Sequence, residues 1–472
     1  MKSLRTQTWL MAVAVAGMAA SLTPPADARS PYFDRTFDPI QFEPPTPSRF
    51  QLGNGMIVYF LPDQSLPVVT VNALVRAGGV YTPESQTGLA SITGETMVTG
   101  GTRTFDPDRL DAFIEFRGIR LDGSIGDESG SFSLRCLAED FDTALSVFAE
   151  VLRFPRFDSA RVNLALADAR EDLRRQNDSP GRIIAREFSK LVYGSHPYGR
   201  SATEQTLDAV TRARLIDFHK QFFKPNNIML AISGSIDGAA LKQRLESTFG
   251  DWVSAPVDWP QIPGVQAPQP GLYQIAKDIN QTNIRFGHLG VERHNPDRYA
   301  LRVLNDILGG GGFTSRMMES VRSDSGWAYS VGTRFTALNQ PGVFYASCQT
   351  KAETTMKTLK LMRWIVDDII DRGISQDELD VAKDAILNSD VFQYETPREI
   401  VERYAWMEYY GFPMDQMKKD VEAIAAVTRA DVEAAARKYL HPDNYVVLVV
   451  GPIDEFDAPL GSAGEVNTIE LE

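Results

Sequence analysis

An α+β fold of two homologous sandwich domains, each an antiparallel sheet packed on helices, is predicted by three features of this 472-residue sequence. The first is an internal duplication. Residues 210–237 (VTRARLIDFHKQFFKPNNIMLAISGSID) and 427–454 (VTRADVEAAARKYLHPDNYVVLVVGPID) are identical at nine of 28 positions without a gap, at a constant offset of 217. Self-similarity at a fixed spacing marks a repeated structural unit. The second is the order of signals in each half, strands first and longer helical patterns after, which separates sheet and helix into layers. The third is the segment 255–271, where Pro256, Pro260, Pro263, Pro268 and Pro270 forbid helix and disfavour a central strand. It reads as a semi-rigid linker between domains at 29–254 and 272–455.

The elements follow in chain order. Lys2 and Arg5, an apolar run over 9–20 and the small-x-small site Ala26-Asp27-Ala28 read as an export signal over 1–28. The mature chain is then expected to begin near Arg29, in the periplasm or otherwise outside the cytoplasm. The apolar run is shorter than the ~20 residues a bilayer-spanning helix needs, and an uncleaved anchor is the alternative. No later stretch is apolar enough to span.

In the first domain, β-branched and aromatic residues predict strands at 57–61, 68–75 and 131–137, and an apolar period of about 3.6 predicts a helix at 142–152. Strands at 283–289 and 343–349 and a helix at 354–367 repeat the pattern in the second. Each copy of the duplicated segment reads as a helix, a Pro-Asn turn, an apolar strand and a Gly-x-Ile-Asp exit. Cys136 and Cys348 fall on matching strands of different halves, so both are expected to be free and buried. After Asp454 periodicity is lost, and 456–472 reads as a disordered acidic tail.

A formal charge of −14 and a pI of about 5.0 exclude a basic nucleic-acid footprint and a polybasic membrane contact, since both need clustered Lys and Arg. The chemistry-bearing stretch is LGGGGFTSRMMESVRSDSGWAY, residues 308–329. Gly309 to Gly312 allow a close backbone approach, with Thr314 placed to cap a helix over 315–323. No Lys-Ser/Thr follows the glycines, so this is not a phosphate-binding loop. Gly326 suits a helix C-terminus, and a strand begins at Trp327. Arg322 and Tyr329, seven apart across this turn, are expected to project to one side. A guanidinium fork can hold a peptide carbonyl or carboxylate, and a phenol can donate to an oxyanion. On spacing alone, a solvated arginine and a half-buried tyrosine is the simpler reading.

Residues 281–331 resemble the second domain of insulinase/pitrilysin-type (inverzincin) zinc metallopeptidases, and GLASITGETMVTGGT (88–102), YGSHPYGR (193–200) and the Pro-Asn-Asn strand at Pro225 resemble the first. The resemblance covers about 45–455. It implies paired domains forming a clam-like half-chamber, and it implies that Arg322 and Tyr329 match an Arg/Tyr pair that assists a zinc site from across the cavity. Active members place His-x-x-Glu-His on the helix at 88–99, where two histidines on one face ligate zinc and the Glu activates water. Here that helix reads Ser91-Ile92-Thr93-Gly94-Glu95-Thr96. Of the five histidines, His196, His219, His288, His294 and His441, no two stand four apart. Glu171 lies near the expected third ligand, but with Glu95 alone it makes a poor zinc site. His196 reads as a turn residue, His219 as a surface or boundary residue, and His288 as facing a cavity. No Gly-x-Ser-x-Gly element or reactive-cysteine context is present.

The expectation is a chain that binds no cofactor itself and is active only in a complex. Arg322 and Tyr329 would serve a homologous partner subunit that carries the zinc, for hydrolysis of a peptide substrate. The alternatives are a non-catalytic peptide-binding or scaffolding protein of the cell envelope, and a self-sufficient hydrolase.

Overall fold

The computed structural model describes residues 43–471; the export signal expected at 1–28 lies outside the described residues. The first half runs β1 (Ser48–Gln51), β2 (Ile57–Pro62), β3 (Val68–Val75), α1 (Leu89–Thr99), α2 (Pro107–Phe116), β4 (Arg120–Ile125), β5 (Gly130–Leu137), α3 (Phe141–Arg153), α4 (Ser159–Arg174), α5 (Pro180–Tyr193), α6 (Glu204–Asp208), α7 (Arg212–Phe222), β6 (Ile228–Gly234) and α8 (Gly238–Phe249). Residues 253–270 hold no helix or strand. The second half runs β7 (Gly271–Ala276), β8 (Thr282–Leu289), β9 (Val291–Glu292), α9 (Arg298–Asn305), β10 (Ala328–Phe335), β11 (Ala337–Leu338), β12 (Val343–Thr350), α10 (Thr355–Arg372), α11 (Gln376–Val391), α12 (Pro397–Tyr409), α13 (Gln416–Ala426), α14 (Arg429–Tyr439), β13 (Val446–Gly451) and β14 (Val466–Thr468).

Two six-stranded sheets, β1-β2-β6-β3-β5-β4 and β14-β7-β13-β8-β12-β10, repeat one topology over five strands and differ at the sixth, since β1 pairs antiparallel with β2 and β14 parallel with β7. The antiparallel expectation holds for β6-β3-β5-β4 and its counterpart β13-β8-β12-β10. The long crossovers leading to β6 and β13 make the pairs β2·β6 and β7·β13 parallel. The duplicated segments become α7–β6 and α14–β13, with the equivalent residues Thr211 and Thr428 capping their helices. Cys136 on β5 and Cys348 on β12 are free and buried, and burial pushes both thiols up to about 12. The expected disordered tail is a correction: Leu460 is buried, and β14 adds to β7 as a parallel edge strand. Leu460 and Val466 supply apolar anchors that the acidic composition concealed.

Each half lends a helix to the other. Ile183, Ile184, Phe188 and Val192 of α5 pack with Val446, Leu448 and Val450 of β13, on the second sheet. In return, Ile400, Val401, Tyr404 and Ala405 of α12 pack with Tyr59 and Ala231, on the first. Buried Glu128, in the β4–β5 turn, ties this exchange together. Its carboxylate accepts from the Tyr198 hydroxyl, from Asn339 N–H at 2.9 Å and from Arg293 at 2.9 Å, while its carbonyl accepts from Tyr409 Oη at 2.7 Å.

The helix α1 lies unusually close to β4. A Cβ at Gly94 would stand 2.6 Å from Ile125 N and 2.9 Å from the Ser124 carbonyl carbon, which are backbone atoms that cannot rotate away. Helix propensity alone predicts that Gly94→Ala stabilises by about 1 kcal/mol. Overpacking against the strand is expected to win and to cost about 1–3 kcal/mol net, read as a lower denaturation midpoint; a raised midpoint would contradict the close approach. Glu128→Gln leaves Arg293 buried without its counter-charge and is expected to cost about 3 kcal/mol, checked by the same denaturation series.

Candidate functional site

The Gly-rich segment and the chain after it form two wide helical turns, over Asp306–Gly310 and Met318–Asp324. Their bonds skip five residues: Gly311 N–H donates to Asp306 O at 2.9 Å and Ser325 N–H to Ser320 O at 3.2 Å. This corrects the α-helix expected over 315–323. Thr314 does not cap it either; its hydroxyl turns back to Gly311 O at 3.0 Å. The physical reason lies in β10. At Gly309 a Cβ would stand 2.5 Å from Thr333 N, so the glycine lets the turn lie directly on that strand. The Thr333 hydroxyl donates to Asn305 Oδ1 at 3.1 Å. π-Turns of this kind occur often at functional sites.

Gly326 has φ +65 and donates to Arg322 O at 3.1 Å, as a helix-ending glycine does. The chain then reverses into β10, with Trp327 N–H on Val321 O at 3.1 Å and the Trp327 carbonyl held by the Thr350 hydroxyl at 2.8 Å. This reversal brings Arg322 and Tyr329 together as their spacing predicted. The guanidinium carbon lies 5.3 Å from the Tyr329 ring centre and 4.9 Å from that of Phe313. Tyr329 is 74% exposed and Phe313 69%. Among the described residues neither the Arg322 guanidinium nor the Tyr329 hydroxyl has a hydrogen-bond or carboxylate partner; Arg322 is held by ring faces alone, so its N–H fork is open to a ligand.

Beside this pair is a hollow of about 520 Å³ that sequence reading missed, lined by Phe313 and by Asp306, Glu319, Asp324, Asp377 and Glu378. Burial pushes the Asp306 carboxyl up. The five acids come from two wide turns and from the start of α11, so no regular period in the sequence brings them together. Only the Ser375–Glu378 capping box was a readable signal.

The helix at the expected metal position offers no zinc site. Ser91 and Glu95 share its outer face, the Ser91 hydroxyl donates to Gly88 O at 2.9 Å, and Thr93 and Thr96 bond back to Leu89 O and Ile92 O. Burial, then Asp168 and Asp172, push the Glu95 carboxyl up. Asp168 and Asp172, four apart on α4, are the acids Glu95 feels, while Glu171 sits on the adjoining face and pairs with Arg174 at 2.9 Å. Three carboxylates crowding without an imidazole do not suit zinc, and no group of three His, Cys, Asp or Glu among the described residues is placed to hold a metal.

The histidines are structural. His196 Nδ1 accepts from Tyr198 N–H at 3.2 Å and caps the turn Pro197–Gly199. His219 bonds to Leu152 O at 2.9 Å and stacks on Phe223, and its pKa is lowered to about 4 by burial. His288 faces no cavity, which corrects its assignment: it is 2% exposed and stacked on Tyr445. It bonds to Leu289 O at 2.7 Å and accepts from His441 N–H at 3.1 Å, and its pKa is also lowered to about 4 by burial. His294 bonds to Tyr410 O at 2.8 Å.

With this geometry in view, the comparisons with known proteins agree. The family described as Insulinase (Peptidase family M16) matches residues 58–206, and the Peptidase M16 inactive domain matches 209–386. An uncharacterized zinc protease of Streptomyces coelicolor is 26% identical over 379 residues, covering 77% of this chain and 81% of its own. The non-peptidase homolog YmxG of Helicobacter pylori is 24% identical over 368 residues, covering 76% and 83%. Among solved structures, a peptidase M16 inactive domain from Pseudomonas fluorescens superposes with a TM-score of 0.81 at 26% identity, over 88% of this chain and all of that one. The periplasmic protease PqqL of Escherichia coli shares the fold, with a TM-score of 0.73 at 15% identity over 93% of this chain and 50% of its own. The chain belongs to the insulinase family of peptidases, M16, with the match to that family's inactive domain running from the end of the first half across the linker into the second.

Proposed function

We propose that this protein is a catalytically incomplete subunit of a heteromeric zinc metallopeptidase of the periplasm, supplying Arg322 and Tyr329 to a homologous partner subunit that holds the zinc. One observation carries the reading. The chain carries a mutually packed pair, half-buried Arg322 and exposed Tyr329, whose side-chain polar atoms find no partner among the described residues, while its own metal-position helix has no metal-ligating set among those residues. In this role the Tyr329 hydroxyl donates to the oxygen that becomes anionic as a scissile carbonyl is attacked. The Arg322 fork donates to a neighbouring carbonyl of the substrate backbone.

The second reading, a non-catalytic peptide-binding or scaffolding protein of the cell envelope, is favoured by the similarity to the Helicobacter pylori protein named a non-peptidase homolog. Activity separates the two. The chain alone is expected to be inactive at matched zinc, and a co-exported homologue bearing His-x-x-Glu-His is expected to gain activity on mixing. Tyr329→Phe should remove about a hundredfold of that gain in kcat, and Arg322→Ala should raise KM. A partner rate unchanged by the wild-type chain or by Tyr329→Phe selects the scaffold.

The loss of the metal site is also expected to resist simple reversal. Ser91→His with Gly94→Glu and Glu95→His restores the motif on paper, but any side chain at 94 drives into the β4 backbone. The triple variant should melt earlier than wild type and bind no stoichiometric zinc by atomic absorption; tight one-to-one zinc with an unchanged melting point would show that α1 is free to move.

A further inference from the structure

Away from Arg322 and Tyr329, a cavity of about 330 Å³ lies between α9, α12 and α13, at the lower end of the size range for small-molecule sites. Its walls alternate cations with rings. Arg403 lies 4.5 Å from the Trp406 ring centre, Arg293 lies 3.8 Å from that of Tyr410, and Arg298 lies 4.3 Å from that of Tyr299 and 5.6 Å from that of Phe412. Trp406 and Phe412 are themselves stacked, 11° from parallel. Phe335 and Ala337 line the cavity as well.

The charges around this space do not balance. Arg293 pairs with Glu128, Arg302 with Asp390, and Arg403 with Asp420 at 3.4 Å. Arg298 has no carboxylate partner among the described residues; it donates to Tyr299 Oη at 2.6 Å. Asp420 is the carboxylate on the lining, and it already accepts from Tyr299 Oη at 2.7 Å, from Gln416 at 2.6 Å and from Arg403. Its negative charge is therefore engaged. Nε of Arg293 and Nε of Arg403 are buried behind the lining and closed to the cavity, so the guanidinium left to meet a ligand is that of Arg298.

A surplus guanidinium and stacked aromatic walls are complementary to one chemistry, a carboxylate carried on a flat apolar body. We propose that this cavity binds a small aromatic carboxylate, the acid facing the Arg298 guanidinium and the ring lying among Phe335, Trp406 and Phe412. The site is independent of the Arg322/Tyr329 pair and stands or falls separately from the peptidase reading.

The test is calorimetry and ligand-observed NMR on the whole mature chain, with 3-phenylpropionate and its uncharged isostere 3-phenylpropionamide as probes. The acid should bind at least about tenfold tighter than the amide, one charge-assisted contact being sufficient for that ratio. Arg298→Met breaks no ion pair. It should weaken the acid by about tenfold and leave the amide unchanged. Ala337→Phe fills the space while keeping every arginine and should abolish both. Equal affinity for acid and amide, binding that survives Ala337→Phe, or no binding of the acid at millimolar concentration would each overturn the proposal.

Discussion

The carboxylate of Glu128 collects donors from both halves of the chain: Tyr198 from the first, Arg293 and Asn339 from the second. Its carbonyl takes a fourth, from Tyr409 at the end of α12. A buried charge is tolerated only when its lone pairs are filled, so the β4–β5 turn, the loop after α5 and the start of the second domain's helical layer must arrive together. The reciprocal loan of α5 and α12 follows from the same constraint. Neither sheet can cover its outer face with helices from its own half, which makes the two domains one folding unit despite their separate sheets.

That unit places the candidate site. Because β10 is the edge of the second sheet, Tyr329 stands where no further strand covers it, and the wide turn before it brings Arg322 onto the ring face. Gly309 permits the approach and Gly326 the reversal. On the other sheet, Gly94 lets α1 settle closely on β4, and the outer face of the helix presents Ser91, Glu95 and Thr99. The two places differ in what they offer a ligand: Tyr329 stands exposed on an edge strand, whereas at Gly94 the space beside the helix is filled by the β4 backbone.

Several features were legible in the residues alone. The duplication predicted the matched α7–β6 and α14–β13 units because a shared cap, turn and apolar strand are local signals. The paired cysteines predicted their own separation because they sit on equivalent strands. Arg322 and Tyr329 were found by spacing and resemblance, and the turn between them is local enough to bring them together. Misreadings arose where partners are distant in sequence. His288 is buried by Tyr445 and His441, more than 150 residues away. The acidic tail became a strand through Leu460 and Val466.

By itself the sequence determined two α+β domains, a missing His-x-x-Glu-His and a retained Arg/Tyr pair, since each rests on residues within one short segment. Only the tertiary structure decided the helix exchange, the Glu128 junction, the acidic hollow beside Phe313 and the arginine-lined cavity. These depend on which surfaces meet across hundreds of residues, and burial and charge balance are properties of that meeting rather than of any segment.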